Sequence, residues 1–289
     1  MESNEQVVLR MREDILLRGL SQNTLDSYTQ TVRVFLKFCN RPVDQLDEYD
    51  IRKFLWYVIK EKRAKPGTVN TYSAAIRFLF AVTLNRTLNY LQIPRQKKKK
   101  TYPVVLSREE VLAIIDNCAN LKHKALLTLI YSSGLRVSEA AALKVQHVEG
   151  KNKRLFIACG KGGKDRYTLL SDVCLAVLRE YYKTYRPQHP EGWLFTGTYN
   201  VTHITTAGIS NAFNQAVNRA NITKKVSIHS LRHAFATHVL EDGASLLQIK
   251  EWLGHSSIQS TTIYLHLANI ASNVKSPLDT ASVYCRVEG

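Results

Sequence analysis

Four short segments carry side chains whose types could perform chemistry together. They are residues 133–139, 160–162 and 229–233, and the stretch from Leu253 to Tyr264. The candidate catalytic residues in these segments are Arg136, Lys161, His229, Arg232, His255 and Tyr264. Two arginines, a lysine, two histidines and a tyrosine form a set that suits the chemistry of a phosphodiester.

Each residue type has a physical reason to take part in such a reaction. Guanidinium groups are planar and permanently charged, so they can grip the non-bridging oxygens of phosphate in a bidentate way. A tyrosine oxygen can attack phosphorus and keep the bond energy as phosphotyrosine, so that rejoining needs no ATP. A lysine can protonate the departing 5′ oxygen, and a histidine can accept or supply a proton near neutrality.

The same set predicts a reaction without a metal ion or another cofactor. Arginine side chains can replace metal ions as the charge clamp on phosphate. The sequence also lacks the clustered acidic ligands that two-metal nucleases need. We therefore expect the protein's own cations to stabilise the transition state.

Spacing supports the grouping only locally. His229 and Arg232 are three residues apart and share one face of a predicted helix. His255 directly follows Gly254, which predicts a helix end and places His255 in a turn. The separations between the four segments are long, and periodicity does not show that they meet. Taken alone, His233 and His238 are interpreted as ordinary packing residues.

The first 90 residues predict a small bundle of helices. Apolar residues at spacings of three and four begin near residue 5, and Gly19 predicts the end of that helix. Ser21 or Asn23 is expected to cap the second helix. We expect Asp50 to cap a third helix and Thr68 to begin a fourth.

The remainder predicts a mainly helical unit with a small sheet. Ser107 to Glu110 has the pattern of a capping box at a helix start. Two short strands, 154–159 and 165–170, flank a glycine-rich hairpin turn that contains Lys161. Helices are expected at about 108–118, 122–133, 137–143, 172–185, 206–220, 230–241, 246–253 and 257–265.

The charge balance predicts a polyanionic partner. The chain has 40 Lys and Arg against 24 Asp and Glu, a net charge of +16, and both halves carry the excess. Basic side chains that neutralise phosphates release counterions, so a polyanion is the expected partner. The run from Arg95 to Lys100 is basic and has no apolar residue to bury, which predicts a linker, residues 95–106, between domains 1–94 and 107–289. The linker lysines expected to contact phosphate are Lys97, Lys98, Lys99 and Lys100.

Composition argues against several other classes of protein. The chain has 5 cysteines, an odd number at long spacings without a C-x-x-C pair, which excludes a disulfide framework and a zinc site of that type. No stretch reaches the roughly 18 apolar residues of a membrane span, and the first residues lack an apolar signal core. We therefore expect a cytoplasmic protein that does not contact a membrane.

Taken in order, the four segments resemble the signature of the tyrosine recombinases, the family of phage integrases, Xer recombinases, Cre and integron integrases. The resemblance is carried by G-L-R-x-S-E at 134–139 and by H-x-L-R-H, L-G-H and Y between His229 and Tyr264. Residues 19–28 (GLSQNTLDSY) resemble the opening of the family's N-terminal domain. The resemblance covers nearly the whole chain. It implies a mainly α fold, with a helical SAM-like core-binding domain and an α+β catalytic domain with a small antiparallel sheet.

The resemblance also implies roles for individual residues. Tyr264 matches the nucleophile, and Arg136 and Arg232 match the two arginines of the family. Lys161 matches the hairpin lysine, a general acid, although Lys164 in the same hairpin is an alternative. The other matching positions are the histidines His229 and His255, with Glu139 as a supporting acidic neighbour.

The resemblance implies that the partner is double-stranded DNA and that the function is site-specific recombination through a 3′-phosphotyrosine on Tyr264. The family implies a homo-tetramer on two DNA sites, in which residues 270–289 dock on a neighbouring protomer, and it allows accessory proteins. A topoisomerase-like enzyme and a DNA-binding protein with a silent active site are the alternatives. The DNA target, the choice among integration, excision, resolution and transposition, and the integron relationship stay open. Residues 276–279 resemble integron integrases, but the stretch from Lys161 to His229 is short for the extra segment of that subfamily.

Overall fold

The computed structural model describes residues 3–89, 91, 93–97, 102–158 and 165–268. The contacts divide the chain into two compact units, Met1–Thr101 and Tyr102–Gly289. In the ranges described, no helix combines the length and the apolar character needed to cross a bilayer. The predictions that concern residues outside these ranges are those for Lys98, Lys99, Lys100, Lys161, Lys164 and the segment 270–289.

The described part of the first unit is a bundle of α-helices. The helices enclose one apolar core, to which each contributes a buried stripe. The last helix continues into a π-helical turn, Leu79–Thr83, and a 3₁₀ turn, Val43–Gln45, precedes the third helix. The helices are α1 (Asn4–Leu17), α2 (Gln22–Cys39), α3 (Glu48–Lys60) and α4 (Pro66–Phe78).

Two of the predicted helix starts in this unit are wrong by a few residues. The Ser21 side chain caps α2 and accepts a hydrogen bond from the Thr24 N–H, as one of the two predicted caps requires. Helix α3, in contrast, is capped by Asp47, while Asp50 lies inside the helix and its carboxylate accepts a hydrogen bond from the Asp47 N–H. Helix α4 begins at Pro66, because proline at a first helical position loses no hydrogen bond there.

The second unit combines α-helices with a small antiparallel sheet of strand order β1-β2-β3. This confirms the mainly α fold with a helical domain followed by an α+β domain. The strands are β1 (Val148–Glu149), β2 (Arg154–Ile157) and β3 (Arg166–Leu169). The helices are α5 (Arg108–Asp116), α6 (Leu121–Ser133), α7 (Val137–Ala141), α8 (Asp172–Tyr185), α9 (Thr206–Arg219), α10 (His229–Glu241) and α11 (Leu246–Leu253). Further 3₁₀ turns are Val145–His147, Thr198–Asn200, Ile258–Ser260 and Thr262–His266.

The segment expected as a helix at 257–265 is not an α-helix. It forms the two 3₁₀ turns Ile258–Ser260 and Thr262–His266. Consecutive β-branched residues, Thr261 to Ile263, disfavour a continuous α-helix because their side chains lose rotamer freedom against the preceding turn. Tyr264 therefore lies on a short 3₁₀ turn rather than on a helix.

Two close packings determine where the site forms. Helix α6 ends at Gly134, whose φ of +61° is left-handed, and a Cβ there would lie 2.4 Å from the Phe235 ring of α10. Only glycine allows this approach of α6 to α10. A separate apolar cluster then holds the tyrosine ring against α10 and α11. This cluster consists of Phe235, Ala236, Leu240, Ile249, Leu253 and Tyr264.

Candidate active site

The buried arginine of α10 connects the ends of two helices. The Arg232 side chain donates hydrogen bonds to the Gly134 carbonyl at 2.7 Å and to the Leu253 carbonyl at 2.6 Å. Gly134 follows the last residue of α6, and Leu253 is the last residue of α11. Carbonyls at a helix C-terminus lack partners within the helix and carry partial negative charge. Arg232 satisfies one such carbonyl from each helix and thereby fixes α10 against both.

The carboxylate of Glu139 lies within 4 Å of three arginine side chains. Arg166 at the start of β3 forms a bidentate pair with Glu139, with N–O distances of 2.9 and 2.7 Å. Arg136 donates to Glu139 from its backbone N–H at 2.8 Å and from Nη1 at 2.7 Å. The Arg232 guanidinium lies 3.8 Å from the same carboxylate. Three positive charges against one negative charge leave the cluster cationic.

Burial and ion pairing together determine the pKa values in this cluster. Burial raises the pKa of Glu139, but the hydrogen bonds and charge of Arg166, together with those of Arg136, outweigh it and lower the pKa to about 2. Burial lowers the pKa of Arg232 to about 10, and the charge of Arg136 acts in the same direction. Both groups stay ionised at neutral pH, so the cluster keeps its positive charge.

Tyr264 lies beside these charges and is almost completely buried. Its side chain is 1% exposed, and its hydroxyl oxygen is 3.1 Å from Nδ1 of His233. Burial raises the pKa of Tyr264, while the charges of Arg232 and Arg136 partly oppose that rise. The phenol therefore keeps its proton in the free protein, and the arginines favour the anionic form that a nucleophile requires.

His255 covers the tyrosine ring from the turn after α11. It follows Gly254, whose φ is +61°, and its ring is nearly parallel to that of Tyr264, with centroids 6.4 Å apart at 12°. Nδ1 of His255 is hydrogen-bonded to the Thr261 hydroxyl at 2.9 Å. Burial lowers the pKa of His255 to about 4, and the charges of Arg232 and Arg136 add to this effect. The ring is therefore neutral near pH 7.

The structure brings four of the six predicted catalytic residues together. The members of this group are Arg136, Arg232, His255 and Tyr264. His229 is the first residue of α10, one turn before Arg232, and it is exposed. Lys161 lies outside the described residues, but β2 and β3 on either side of it pair as predicted. Lys97 is exposed in the first unit.

Two residues at this site escaped the sequence analysis. His233 was interpreted as a packing residue, yet its Nδ1 contacts the Tyr264 hydroxyl. Arg166 was not singled out, yet it binds Glu139 and donates from Nε to the Trp252 carbonyl at 2.7 Å. Arg166 has no local signal, because its partners are 27 and 86 residues away. His233 had one weak signal, namely its position one turn after His229 and next to Arg232.

The site offers cations rather than metal ligands. Within the described ranges, no three His, Cys, Asp or Glu side chains are grouped so that they could hold a metal ion. The guanidinium groups of Arg136 and Arg232 are the charged groups near the tyrosine hydroxyl. Such an arrangement can bind an anion and stabilise negative charge that develops on it.

Both units of the chain match known protein families. Residues 104–270 match the phage integrase family, and residues 8–90 match the phage integrase N-terminal SAM-like domain. A protein of Sinorhizobium fredii named as an integrase/recombinase is 38% identical over 260 residues, covering 90% of this chain and 83% of that protein. The tyrosine recombinase XerD of Oceanobacillus iheyensis is 32% identical over 269 residues, covering 86% and 89%.

A solved structure shares the fold. It is the XerH site-specific recombinase bound to its palindromic difH substrate after cleavage, with a TM-score of 0.72. Sequence identity is 18%, and the match covers 94% of this chain and 96% of that one. At this identity the likeness shows the fold alone.

Proposed function

The chain belongs to the phage integrase family of tyrosine recombinases, enzymes that cleave and rejoin DNA, and we propose that it uses Tyr264 as the nucleophile in site-specific recombination. The observation that carries the proposal is the Tyr264 hydroxyl buried beside two arginines. In this reaction the Tyr264 oxygen attacks a phosphodiester of duplex DNA and forms a 3′-phosphotyrosine. The 5′-hydroxyl of a partner strand then attacks that bond and completes the exchange.

The arginines would act as the phosphate clamp. A guanidinium group has five N–H donors, and Arg136 uses one N–H of Nη1 and one of Nη2 on Glu139 and Gly254. The remaining donors and the positive charge of Arg136 and Arg232 are suited to the non-bridging oxygens of the scissile phosphate. Because Glu139 and the helix-end carbonyls hold both side chains in place, the clamp needs little reorganisation when charge develops.

The histidines and the lysine would handle hydrogen bonds and protons. In the neutral tautomer in which Nδ1 of His255 accepts from the Thr261 hydroxyl, the proton is on Nε2, which can donate to a phosphate oxygen. We assign to Lys161 the protonation of the departing 5′ oxygen, on the family resemblance. His229, exposed at the first turn of α10, would contact the phosphate at the positive end of that helix.

The larger assembly is proposed on the same family resemblance. The core-binding domain, 1–94, and the catalytic domain, 107–289, would hold duplex DNA in the cytoplasm, with Lys97 to Lys100 of the linker on phosphates. A homo-tetramer would bring two DNA sites together, and residues 270–289 would dock on the neighbouring protomer. The biological role would be integration, excision or transposition of a mobile element.

A covalent-trapping assay tests the proposal. Duplexes that span the DNA flanking this protein's own gene are nicked so that cleavage traps the enzyme, and the reaction is run in EDTA. We expect a covalent protein–DNA band with wild type and none with Tyr264→Phe, which still binds DNA. Tyr131→Phe is the matched control, because Tyr131 is also hydrogen-bonded to a histidine of α10, but the arginine that acts on it is Arg108 rather than Arg136 or Arg232.

Each other outcome of this assay has a defined meaning. A band with Tyr264→Phe would refute Tyr264 as the nucleophile. Specific binding on a native gel without a band from wild type would favour a DNA-binding protein with a silent site. A covalent band with relaxation of supercoils, but without exchange between two marked sites, would favour a topoisomerase-like enzyme.

A further inference from the structure

We propose that His233, and not His229, is the general base that accepts the Tyr264 proton when the tyrosine oxygen attacks phosphorus. This inference rests on the proposed function, because it assigns a partner to the proposed nucleophile. It concerns a residue that the sequence analysis left as packing. Of the three histidines considered, His233 and His255 contact the Tyr264 side chain, and only His233 is hydrogen-bonded to its hydroxyl.

Distance favours His233 over the other two histidines. A general base must lie within hydrogen-bond reach of the proton that it removes. Nδ1 of His233 is 3.1 Å from the Tyr264 oxygen. The two ring centroids are 5.9 Å apart, and the angle between the ring planes is 50°. His255 faces the ring of the tyrosine, and its Nδ1 is engaged by the Thr261 hydroxyl. His229 lies one turn earlier on α10 and is exposed.

The fold holds His233 in place for this role. It is half-buried on α10, next to Arg232, whose two hydrogen bonds anchor that helix to the ends of α6 and α11. Tyr264 is buried in the apolar cluster that packs against the same helix. Packing therefore fixes Nδ1 of His233 and the hydroxyl oxygen of Tyr264 in position, so the hydrogen bond forms without rearrangement of either side chain.

The charges around His233 keep its ring able to accept a proton. The groups that face it are His229 and Arg232 on its own helix, Tyr264 on the 3₁₀ turn, and His255 on the turn after α11. Burial lowers the pKa of His233, and the charges of His229 and Arg232 lower it further. Because burial also raises the pKa of Tyr264, the phenol stays protonated until attack and needs a base.

The step balances without any added reagent. A bond forms between the Tyr264 oxygen and phosphorus, and the bond from phosphorus to the 5′ oxygen breaks. The tyrosine proton moves to Nδ1 of His233, and the departing 5′ oxygen takes a proton from the general acid, assigned here to Lys161. In the rejoining step the incoming 5′-hydroxyl returns its proton to the lysine, and His233 returns its proton to Tyr264.

The test compares matched histidine-to-asparagine variants of the full chain on nicked duplexes. Asparagine can keep a hydrogen bond at the position of Nδ1 but cannot accept the proton. His238→Asn is the structural control, because His238 lies on the same helix and its Nδ1 is 2.9 Å from the hydroxyl of another tyrosine, Tyr131. His229→Asn tests the competing base. Each duplex is made with the normal 5′ oxygen and with a bridging 5′ sulfur, which departs without needing a proton.

We expect His233→Asn to slow formation of the covalent adduct by about 10²- to 10⁴-fold on both duplexes. The sulfur duplex rescues Lys161→Ala but not His233→Asn, because sulfur removes only the need for an acid. The wild-type rate falls as the pH drops through the pKa of His233, which burial holds below the ordinary histidine value of about 6.5, while His233→Asn lacks that dependence. His238→Asn stays close to wild type.

Several results would overturn the assignment. A rate for His233→Asn that equals or exceeds the wild-type rate would mean that the contact only holds Tyr264 in its buried position and takes no part in the reaction. Loss of both the rate and its pH dependence in His229→Asn, with His233→Asn unaffected, would assign the base to His229. Failure of wild type to form any adduct would refute the proposed function itself, and this outcome is distinct from failure of one variant.

Discussion

Replacing the shared carboxylate, Glu139→Gln, should destabilise the second unit strongly. Glutamine has nearly the same shape as glutamate but carries no charge. The change would leave Arg136, Arg166 and Arg232 facing a neutral group in a site where Glu139 is only 7% exposed. Removing one partner from a buried ion pair leaves uncompensated charge, which typically costs about 3–5 kcal/mol.

The lowered pKa of Glu139 gives a second value for the expected loss of stability. A pKa lowered from 4.5 to about 2 corresponds to a stabilisation of about 3 kcal/mol when the carboxylate is ionised. With an m-value of about 2 kcal/mol/M, the urea midpoint should fall by about 1.5 M. Because the pKa is lowered in the folded state, this stabilisation is fully present above pH 4.5 and is lost as pH falls through about 2. The difference between wild type and Glu139→Gln should therefore narrow below pH 4.5.

Tryptophan fluorescence during urea unfolding can isolate the second unit. Of the 3 tryptophans, Trp56 belongs to the first unit, so a Trp56→Phe background leaves Trp193 and Trp252 as reporters. The control is Asp116→Asn, which breaks the exposed pair of Asp116 with Lys124. That change should cost at most about 1 kcal/mol. Equal midpoints for Glu139→Gln and the control, or a difference that grows as the solution is acidified, would refute the reasoning.

Substitutions at Gly254, Gly243 and Arg232 test two further features, one of stability and one of activity. Gly254→Ala should lower the midpoint of thermal unfolding more than Gly243→Ala. Both glycines have a positive φ, which costs about 1–2 kcal/mol for alanine. Of these two positions, only Gly254 would bring a Cβ against the Arg166 side chain, at 2.9 Å. Equal losses would show that this contact does not matter. Arg232→Lys should lower the rate of adduct formation by about 10²- to 10³-fold in the trapping assay, because one ammonium cannot replace the fork that binds the Gly134 and Leu253 carbonyls. A rate near wild type would show that charge alone suffices.

Local features of the fold were predictable because they depend on neighbouring residues. Ser107 caps α5 with Glu110 as its reciprocal partner, and Gly134 ends α6 in the left-handed region, as the sequence indicated. The cap of α3 was assigned wrongly because Asp47 and Asp50 are three apart and both take part in the capping box. Sequence alone does not tell which of two such acids begins the helix.

The short elements escaped prediction for a different reason. Strand β1 has two residues, too few for an alternating pattern to be visible. The 3₁₀ turn that carries Tyr264 shares its spacing with a helix over so short a length that periodicity cannot separate them. In both cases tertiary packing rather than local preference decides the conformation.

The composition of the candidate site could be predicted from the order of its motifs, but its contacts could not. Arg136, Arg232, His255 and Tyr264 were named from the sequence, and the fold brings them together. His233 contacts Tyr264 across 31 residues, and Arg166 contacts Glu139 across 27. No pattern of period two or 3.6 extends over such separations, so only the folded chain reveals these pairs.

Mapping the covalent bond to DNA identifies the nucleophile of the protein. The trapped adduct is digested with nuclease and trypsin, and the peptide that retains a nucleotide is identified by mass spectrometry. Cleavage after Lys250 and Lys275 releases residues 251–275, a peptide with Tyr264 as its single tyrosine. We expect the nucleotide on Tyr264 of this peptide. A nucleotide on any other residue, or on any other peptide, would contradict this expectation.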